Sequence, residues 1–178
     1  TARAELHKLA SALSDADAER LVGLYAAFDA NPRDPFAMAA CDDDGDPVIV
    51  LSDAMLRFVA NVARAESLDE ANGSRRVEGY ATFLARAQNA DARLLPPPPG
   101  FYSADRPETT YEARRDGAIS FVLARELVSL RRGDLVCPHP TATKEHGDDV
   151  WTAAEQRRAL ETAAKLHPGS PERDREAT

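Results

Sequence analysis

A glutamate with an arginine directly before it and a serine three positions after it lies in a segment whose hydrophobic spacing predicts a helix. The segment runs from Ala118 to Gly133, and the three residues are Arg125, Glu126 and Ser129. A helix that holds a catalytic zinc ion carries histidines at positions i and i+4, with a glutamate directly after the first as general base. Arginine cannot coordinate zinc and serine is a poor ligand. The spacing therefore predicts a zinc-type site that has lost both helical ligands.

The apolar positions of this segment reach nearly all the way round a helical wheel, which predicts a helix buried inside the domain. They are Ile119, Phe121, Val122, Leu123, Leu127, Val128 and Leu130. Glu126 shares the wheel with them, so we expect its carboxylate in the core, where an unpaired charge is costly. Arg125 offers the compensating charge, to Glu126 itself or to a downstream carboxylate such as Glu155, Glu161 or Glu176. Alternatively, Arg125 extends into solvent and Glu126 accepts from a neighbouring backbone group.

The composition predicts one ordinary domain over residues 1–178 and argues against nucleic acid as a partner. The chain has 178 residues and a net charge of -8, which repels nucleic acid and anionic membranes over most of its surface. The sequence contains no run of about 18 apolar residues, so it predicts no membrane span. The two cysteines, Cys41 and Cys137, fit either a disulfide in an exported protein with its signal removed or two reduced thiols in a cytoplasmic one.

The remaining pattern predicts a mostly helical α+β fold, a zincin-like helical bundle around a buried central helix with a small β-hairpin or sheet. Apolar runs over 36–41 and 47–51 flank an Asp-Gly turn and predict the hairpin. The acidic turn lacks both end ligands of a calcium loop and is expected to be solvated. Helices are expected over 2–13, from Ser14 to about Asn31, from Ser52, from about Ser74, from about Thr109 to Gly133, and from about Asp149. Residues 95–108 predict a Pro-rich surface arm and residues 168–178 a charged tail.

Together these segments resemble the minimal gluzincin metallopeptidases of the HtpX and Oma type. Residues 36–39 and 48–56 correspond to that family's hairpin and helix start, and Arg125, Glu126 and Ser129 stand at its ligand, base and ligand positions. Asp134 stands where the family often has His. The family's third ligand is a Glu in a Glu-Ala-x-Ala-Asp type motif, and the one similar piece in this sequence is Arg175-Glu176-Ala177-Thr178. The resemblance covers about residues 34–133.

The resemblance implies a catalytically inactive metallopeptidase-like domain, a pseudopeptidase without zinc or other cofactor, which binds a peptide or protein partner. Glu126 becomes a vestigial general base, and Arg125 and Ser129 become vestigial ligand positions. In that family an edge strand beside the active helix holds extended substrate. The expected peptide-binding edge comprises Phe36, Ala37, Met38, Ala39, Ala40 and Cys41.

Two other functions remain open from the residues. One is a structural or assembly domain in which Arg125 and the Pro-rich arm fill the former cleft. The other is an active metallopeptidase that holds its metal through unusual ligands, with Glu126, Cys137, His139 and His146 as candidates. An open cleft beside Glu126 favours peptide binding over assembly, and stoichiometric zinc favours the enzyme.

Overall fold

The structure, a computed structural model, describes residues 2–19, 21–91 and 94–137. Within these residues the chain forms five helices and a three-stranded sheet, which confirms the predicted, mostly helical α+β class. The elements are α1 (Ala2–Ser11), α2 (Asp15–Glu19), β1 (Tyr25–Asp29), β2 (Ala37–Cys41), β3 (Pro47–Ser52), α3 (Asp53–Asn72), α4 (Arg76–Asp91) and α5 (Tyr111–Arg132). None of these described helices has the length and apolar composition needed to cross a membrane. The helix expected near Asp149 and the tail over 168–178 lie outside the described residues.

The described residues group into two compact units. One contains residues 28–38 and 50–123, and the other contains residues 3–27, 39–49 and 124–137. The three strands and α5 each contribute residues to both units. The single domain expected over residues 1–178 stays a prediction.

The helix predicted from Ser14 to about Asn31 is wrong beyond its first turn. The Ser14 hydroxyl accepts from the Asp17 amide at 3.3 Å and donates to the Asp17 carboxylate at 2.7 Å, so the capping signal is real. The helix it begins, α2, is only five residues long. After Gly23, at φ 81°, the chain continues as strand β1, in which Ala26 is fully buried and Phe28 is half exposed. The apolar residues of this segment have helical spacing, but the segment is extended and lies beside β3 in the sheet.

The predicted hairpin of β2 and β3 is confirmed, and the sheet order is β1-β3-β2. The turn between them is closed by Asp42, whose Oδ1 accepts from the amides of Asp44 at 3.0 Å and Asp46 at 2.8 Å. Asp46 is fully buried, so the turn is not solvated throughout. Gly23 lies so close to it that an added Cβ would come 2.7 Å from Oδ1 of Asp46. Glycine is therefore required at this position both by space and by its positive φ.

Helices α3 and α4 form a packed pair that is joined through one carboxylate. Ser52 caps α3 as predicted, with its hydroxyl accepting from the Met55 amide at 3.1 Å. Asp69, near the end of α3, accepts from the Ser74 hydroxyl at 2.6 Å and from the amides of Arg76 at 2.7 Å and Val77 at 3.1 Å. Burial raises the pKa of Asp69, but these hydrogen bonds and the Arg76 charge outweigh it and hold the pKa below its usual value.

Residues 95–108, which the sequence predicts as a Pro-rich surface arm, contain no helix or strand. They are tied to the α3–α4 pair by polar side chains. The Tyr80 hydroxyl donates to the Leu95 carbonyl at 3.1 Å, and the Tyr102 hydroxyl donates to Oδ1 of Asn61 at 2.7 Å. The guanidinium of Arg64 lies over the Tyr102 ring, 4.6 Å from its centroid. Burial and the neighbouring Tyr80 raise the pKa of Tyr102 to about 12 despite the Arg64 charge.

Helix α5 ends at Arg132, directly before Gly133 at φ 76°, as the sequence predicts. Its buried residues form a single stripe: Ile119, Leu123, Glu126, Leu127 and Leu130. Phe121 is 74% exposed and Val128 is 43% exposed, so the expected burial all round the helix is wrong. A stripe at spacings of three and four residues covers only one face of a helix. Glu126 lies within that face.

Candidate functional site

The expected peptide-binding edge lies on an edge strand of the sheet. Strand β2 borders β3 on one side only, because the order is β1-β3-β2. The Ser52 amide donates to the Phe36 carbonyl at 3.0 Å, and the Asp42 amide donates to the Asp46 carbonyl at 2.9 Å. In an antiparallel pair this register turns the backbone groups of Phe36, Met38, Ala40 and Asp42 towards β3. Those of Ala37, Ala39 and Cys41 then face the outer edge.

Glu126 lies at this outer edge. Its carboxylate Oε2 accepts from the Ala39 amide at 3.2 Å, and the residue is only 7% exposed. The Ala39 amide is one of the outward donors of β2, so the glutamate takes the place that a carbonyl of an added strand would occupy. The structure therefore contains the predicted alternative, in which Glu126 accepts a hydrogen bond from a neighbouring backbone group.

Arg125 pairs with the other oxygen of the same carboxylate. Its Nε and Nη2 atoms lie 2.8 and 2.6 Å from Oε1 of Glu126. The Arg125 side chain is 66% exposed, whereas that of Glu126 is 9% exposed. Arg125 thus compensates the buried charge while most of its own surface stays in solvent. The predicted pairing of Arg125 with Glu126 is present in the structure.

Ser129, which the sequence predicts as a second vestigial ligand position, is half-buried one turn further along α5. Its carbonyl accepts from the Asp134 amide at 3.1 Å, beside the end of the helix. The downstream carboxylates Glu155, Glu161 and Glu176, and the candidate ligands His139 and His146, lie outside the described residues.

The residues around Glu126 do not fit the zinc ion that active metallopeptidases of the resembled family hold. A guanidinium stands at the first ligand position and contacts the carboxylate that would act as base. A cation of that kind opposes the binding of a second cation a few ångströms away. Within the described ranges, no three His, Cys, Asp or Glu side chains are grouped so that they could hold a metal ion.

The two cysteines form a disulfide that joins the end of β2 to the residues after α5. Cys41 and Cys137 are joined with their Cα atoms 5.4 Å apart, across 96 residues of sequence. The Cys137 sulfur lies 3.9 Å from the Ala40 carbonyl oxygen. The spacing of the cysteines left this pairing open, and only the tertiary arrangement establishes it. The Ala39 amide and the Cys41 side chain are thus both bonded to residues that follow Ala124.

Sequence reasoning missed the polar contacts that tie down the Pro-rich arm, since each joins residues far apart in the chain. A surface depression also lies near this arm and is lined by Pro107, Glu108, Thr109, Tyr111 and Glu112. It contains none of the predicted site residues. Glu108 is already paired with Arg64 at 2.8 Å, so we assign this depression no function.

The chain matches no protein-family model, no curated protein and no solved structure. The metallopeptidase resemblance therefore rests on the sequence motifs alone.

Proposed function

We propose that this chain is a non-catalytic binding domain with a degenerate metallopeptidase helix, which receives an extended peptide at the outer edge of β2. The observation that carries the proposal is the position of Glu126. Its carboxylate lies at an edge strand and already accepts from the Ala39 amide, 3.2 Å away. A bound peptide would make the same contact through a backbone carbonyl that displaces the Glu126 carboxylate.

The environment of Glu126 supports binding rather than hydrolysis. A general base must be free to take a proton from an attacking water. Here one carboxylate oxygen accepts from Ala39 and the other is paired with Arg125. Arginine and serine at the ligand positions also leave no helical histidine to bind and activate that water.

The composition of β2 supports strand addition. Natural edge strands are commonly protected by lysine, proline or inward-pointing charges. Residues Ala37–Cys41 contain no charged residue and no proline, and their side chains are mostly small. Small side chains allow a second backbone to approach, and Met38, which is 48% exposed, offers one apolar contact.

Peptide selection followed by mapping tests the proposal. A random decapeptide library is displayed and selected against the full chain, and a selected peptide is titrated by NMR. We expect the largest amide shifts at Ala37–Cys41. The variant Ala37→Pro removes one outward amide but no hydrogen bond to β3, and we expect it to weaken binding about tenfold. The matched variant Ala37→Ser keeps the amide and should bind as the natural chain does. Binding that Ala37→Pro leaves unchanged would refute strand addition.

A cleavage assay separates binding from catalysis. The selected peptide is incubated with the chain and added zinc, then examined by mass spectrometry. We expect intact peptide, and an unchanged melting temperature with zinc. An ion at about 100 times its Kd would instead add about 2.7 kcal/mol of stability. Peptide cleavage that depends on Glu126 would establish the alternative of an active metallopeptidase.

An assembly domain is the second candidate, and a specific observation favours it. Glu126 already occupies the outward amide of Ala39, and the disulfide fixes the end of β2 to Cys137. If this engagement is permanent, the edge serves the fold and not a partner. In that case the peptide selection yields no binder whose shifts lie on β2.

A further inference from the structure

We infer that residues 96–99, the run of four prolines in the Pro-rich arm, are a docking ligand for a partner protein whose groove is lined by aromatic side chains. A polyproline II helix fits grooves of this kind, because its proline rings pack between tryptophan and tyrosine rings of the partner. This interaction is separate from strand addition at β2, and neither proposal depends on the other.

The backbone of the run has the geometry that such grooves recognise. A proline ring fixes its own φ at about −65° and drives the residue before it to extended ψ values. Each of residues 95–98 precedes a proline, and none of them lies in a helix, strand or turn. A polyproline II helix needs trans peptide bonds, and every described peptide bond is trans. The run therefore forms this helix for steric reasons that lie in its own sequence.

The exposure of the four prolines leaves two edges of that helix available to a partner. Pro96, Pro98 and Pro99 are exposed, whereas Pro97 is half-buried. A polyproline II helix has about three residues per turn, so residues 96 and 99 share one edge, and residues 97 and 98 lie on the other two. Pro96 and Pro99 thus present the spacing of a Pro-x-x-Pro ligand on an exposed edge.

Both ends of the run are fixed to the domain through Tyr80. At the start, the Leu94 amide donates to the Arg33 carbonyl at 2.8 Å, and the Leu95 carbonyl accepts from the Tyr80 hydroxyl at 3.1 Å. At the other end, the Phe101 ring lies 5.8 Å from the Tyr80 ring, measured between centroids. Tyr80 is 1% exposed, so a buried side chain holds the two ends together.

A turn ends the helix directly after the last proline. The Phe101 amide donates to the Pro98 carbonyl at 3.1 Å, and Gly100 between them has φ 76°, as in a type II turn with Pro99 before the glycine. The run is therefore closed at both ends and is presented in one conformation. A partner that binds it loses little conformational entropy, which favours binding.

The carbonyl groups of the run indicate the same kind of partner. Proline has no amide hydrogen, so the run offers hydrogen-bond acceptors and no backbone donors. Within the described residues, no hydrogen bond reaches the carbonyls of Pro96 and Pro97. Tryptophan N–H and tyrosine O–H groups supply donors at the rims of aromatic rings, so one groove can satisfy both the carbonyls and the proline rings.

Titration with isolated proline-binding domains tests the inference. A panel of isotope-labelled SH3 and WW domains is titrated with the unlabelled full chain to about 1 mM and followed by NMR. We expect the chain to shift the groove resonances of at least one domain, including a tryptophan indole N–H. In the reverse titration, the largest amide shifts should lie at Leu95 and Gly100, which flank the prolines. The absence of shifts in every domain of the panel would overturn the inference.

Two proline variants locate the contact. Pro96→Ala combined with Pro99→Ala removes both rings of one exposed edge, and we expect binding to weaken about tenfold. Pro107→Ala is the matched control, because Pro107 is an exposed proline of the same arm outside the run. It should bind as the natural chain does, and circular dichroism should show that both variants are folded. Equal binding by the double variant and the control would overturn the inference.

A synthetic peptide of residues 94–103 tests whether the domain presents the run. The peptide carries the same four prolines without the contacts to Arg33 and Tyr80. We expect it to bind the same SH3 or WW domain about tenfold more weakly than the full chain. A peptide that binds as tightly as the chain would show that the fixed ends contribute nothing, and a pre-formed ligand would be wrong.

Discussion

Replacement of Arg125 by glutamine tests whether its guanidinium compensates the buried charge of Glu126. The variant leaves the Glu126 carboxylate, whose side chain is 9% exposed, with the Ala39 amide as its remaining partner. Removing one partner of a fully buried pair costs about 3–5 kcal/mol, whereas exposed pairs contribute about 0.2–1 kcal/mol. Arg125 is 66% exposed and is screened by water, so the pair falls between these limits.

We therefore expect Arg125→Gln to lower the free energy of unfolding by about 1–2 kcal/mol, which corresponds to about 2–8 °C in melting temperature for a chain of this size. Thermal and urea unfolding measure the change. Arg57→Gln is the matched control, because Arg57 pairs with Asp53 at 3.9 Å on an exposed face of α3. We expect the control to change stability by less than about 0.5 kcal/mol.

A double-mutant cycle with Glu126→Gln isolates the pair itself. Glutamine keeps an oxygen that can accept from the Ala39 amide but removes the charge, so the cycle reports the attraction to Arg125. We expect a coupling energy of about 1–2 kcal/mol. A coupling near zero, or an Arg125→Gln variant as stable as Arg57→Gln, would refute the view that Arg125 compensates Glu126.

Three further substitutions test the fold around the site. Gly23→Ala should lower the free energy of unfolding by about 1–3 kcal/mol, because residue 23 has a positive φ and an added Cβ would contact Asp46. Gly117→Ala, in open space on α5, should raise the free energy of unfolding by about 0.5–1 kcal/mol. Equal effects of the two variants in urea unfolding would contradict this. Because the pKa of Asp69 is lowered from 3.8, its contribution to stability is present above that pH and is lost as pH falls further, so Asp69→Asn should flatten the acid side of the stability profile. Because Tyr102 stays protonated to about pH 12 while the unfolded chain ionises near 10, stability should fall between these values, and Tyr102→Phe should reduce that fall; an ultraviolet titration of Tyr102 near 10 would be inconsistent with it.

Local sequence signals predicted the elements that depend on neighbouring residues. The Asp-Gly turn, the Ser52 cap and the glycine after α5 each act within a few residues, and each lies where the sequence indicates. Strand β1 was missed because its neighbour in the sheet, β3, is remote in sequence. The spacing of Leu21, Leu24 and Phe28 fits a helix, and only pairing with that remote strand selects the extended form.

The candidate site divides in the same way. Sequence alone determined that a charged glutamate lies on the apolar face of a helix, that it needs a partner, and that the arginine beside it offers one. Only the tertiary structure decided that its second partner is the Ala39 amide, 87 positions away, and that Cys41 and Cys137 are joined across 96. The physical reason is that side-chain charge and helical spacing are properties of a local sequence. Contacts between the edge of a sheet and a distant helix arise only when the whole chain packs, so the contact of Glu126 with β2 appears in the fold and in no motif.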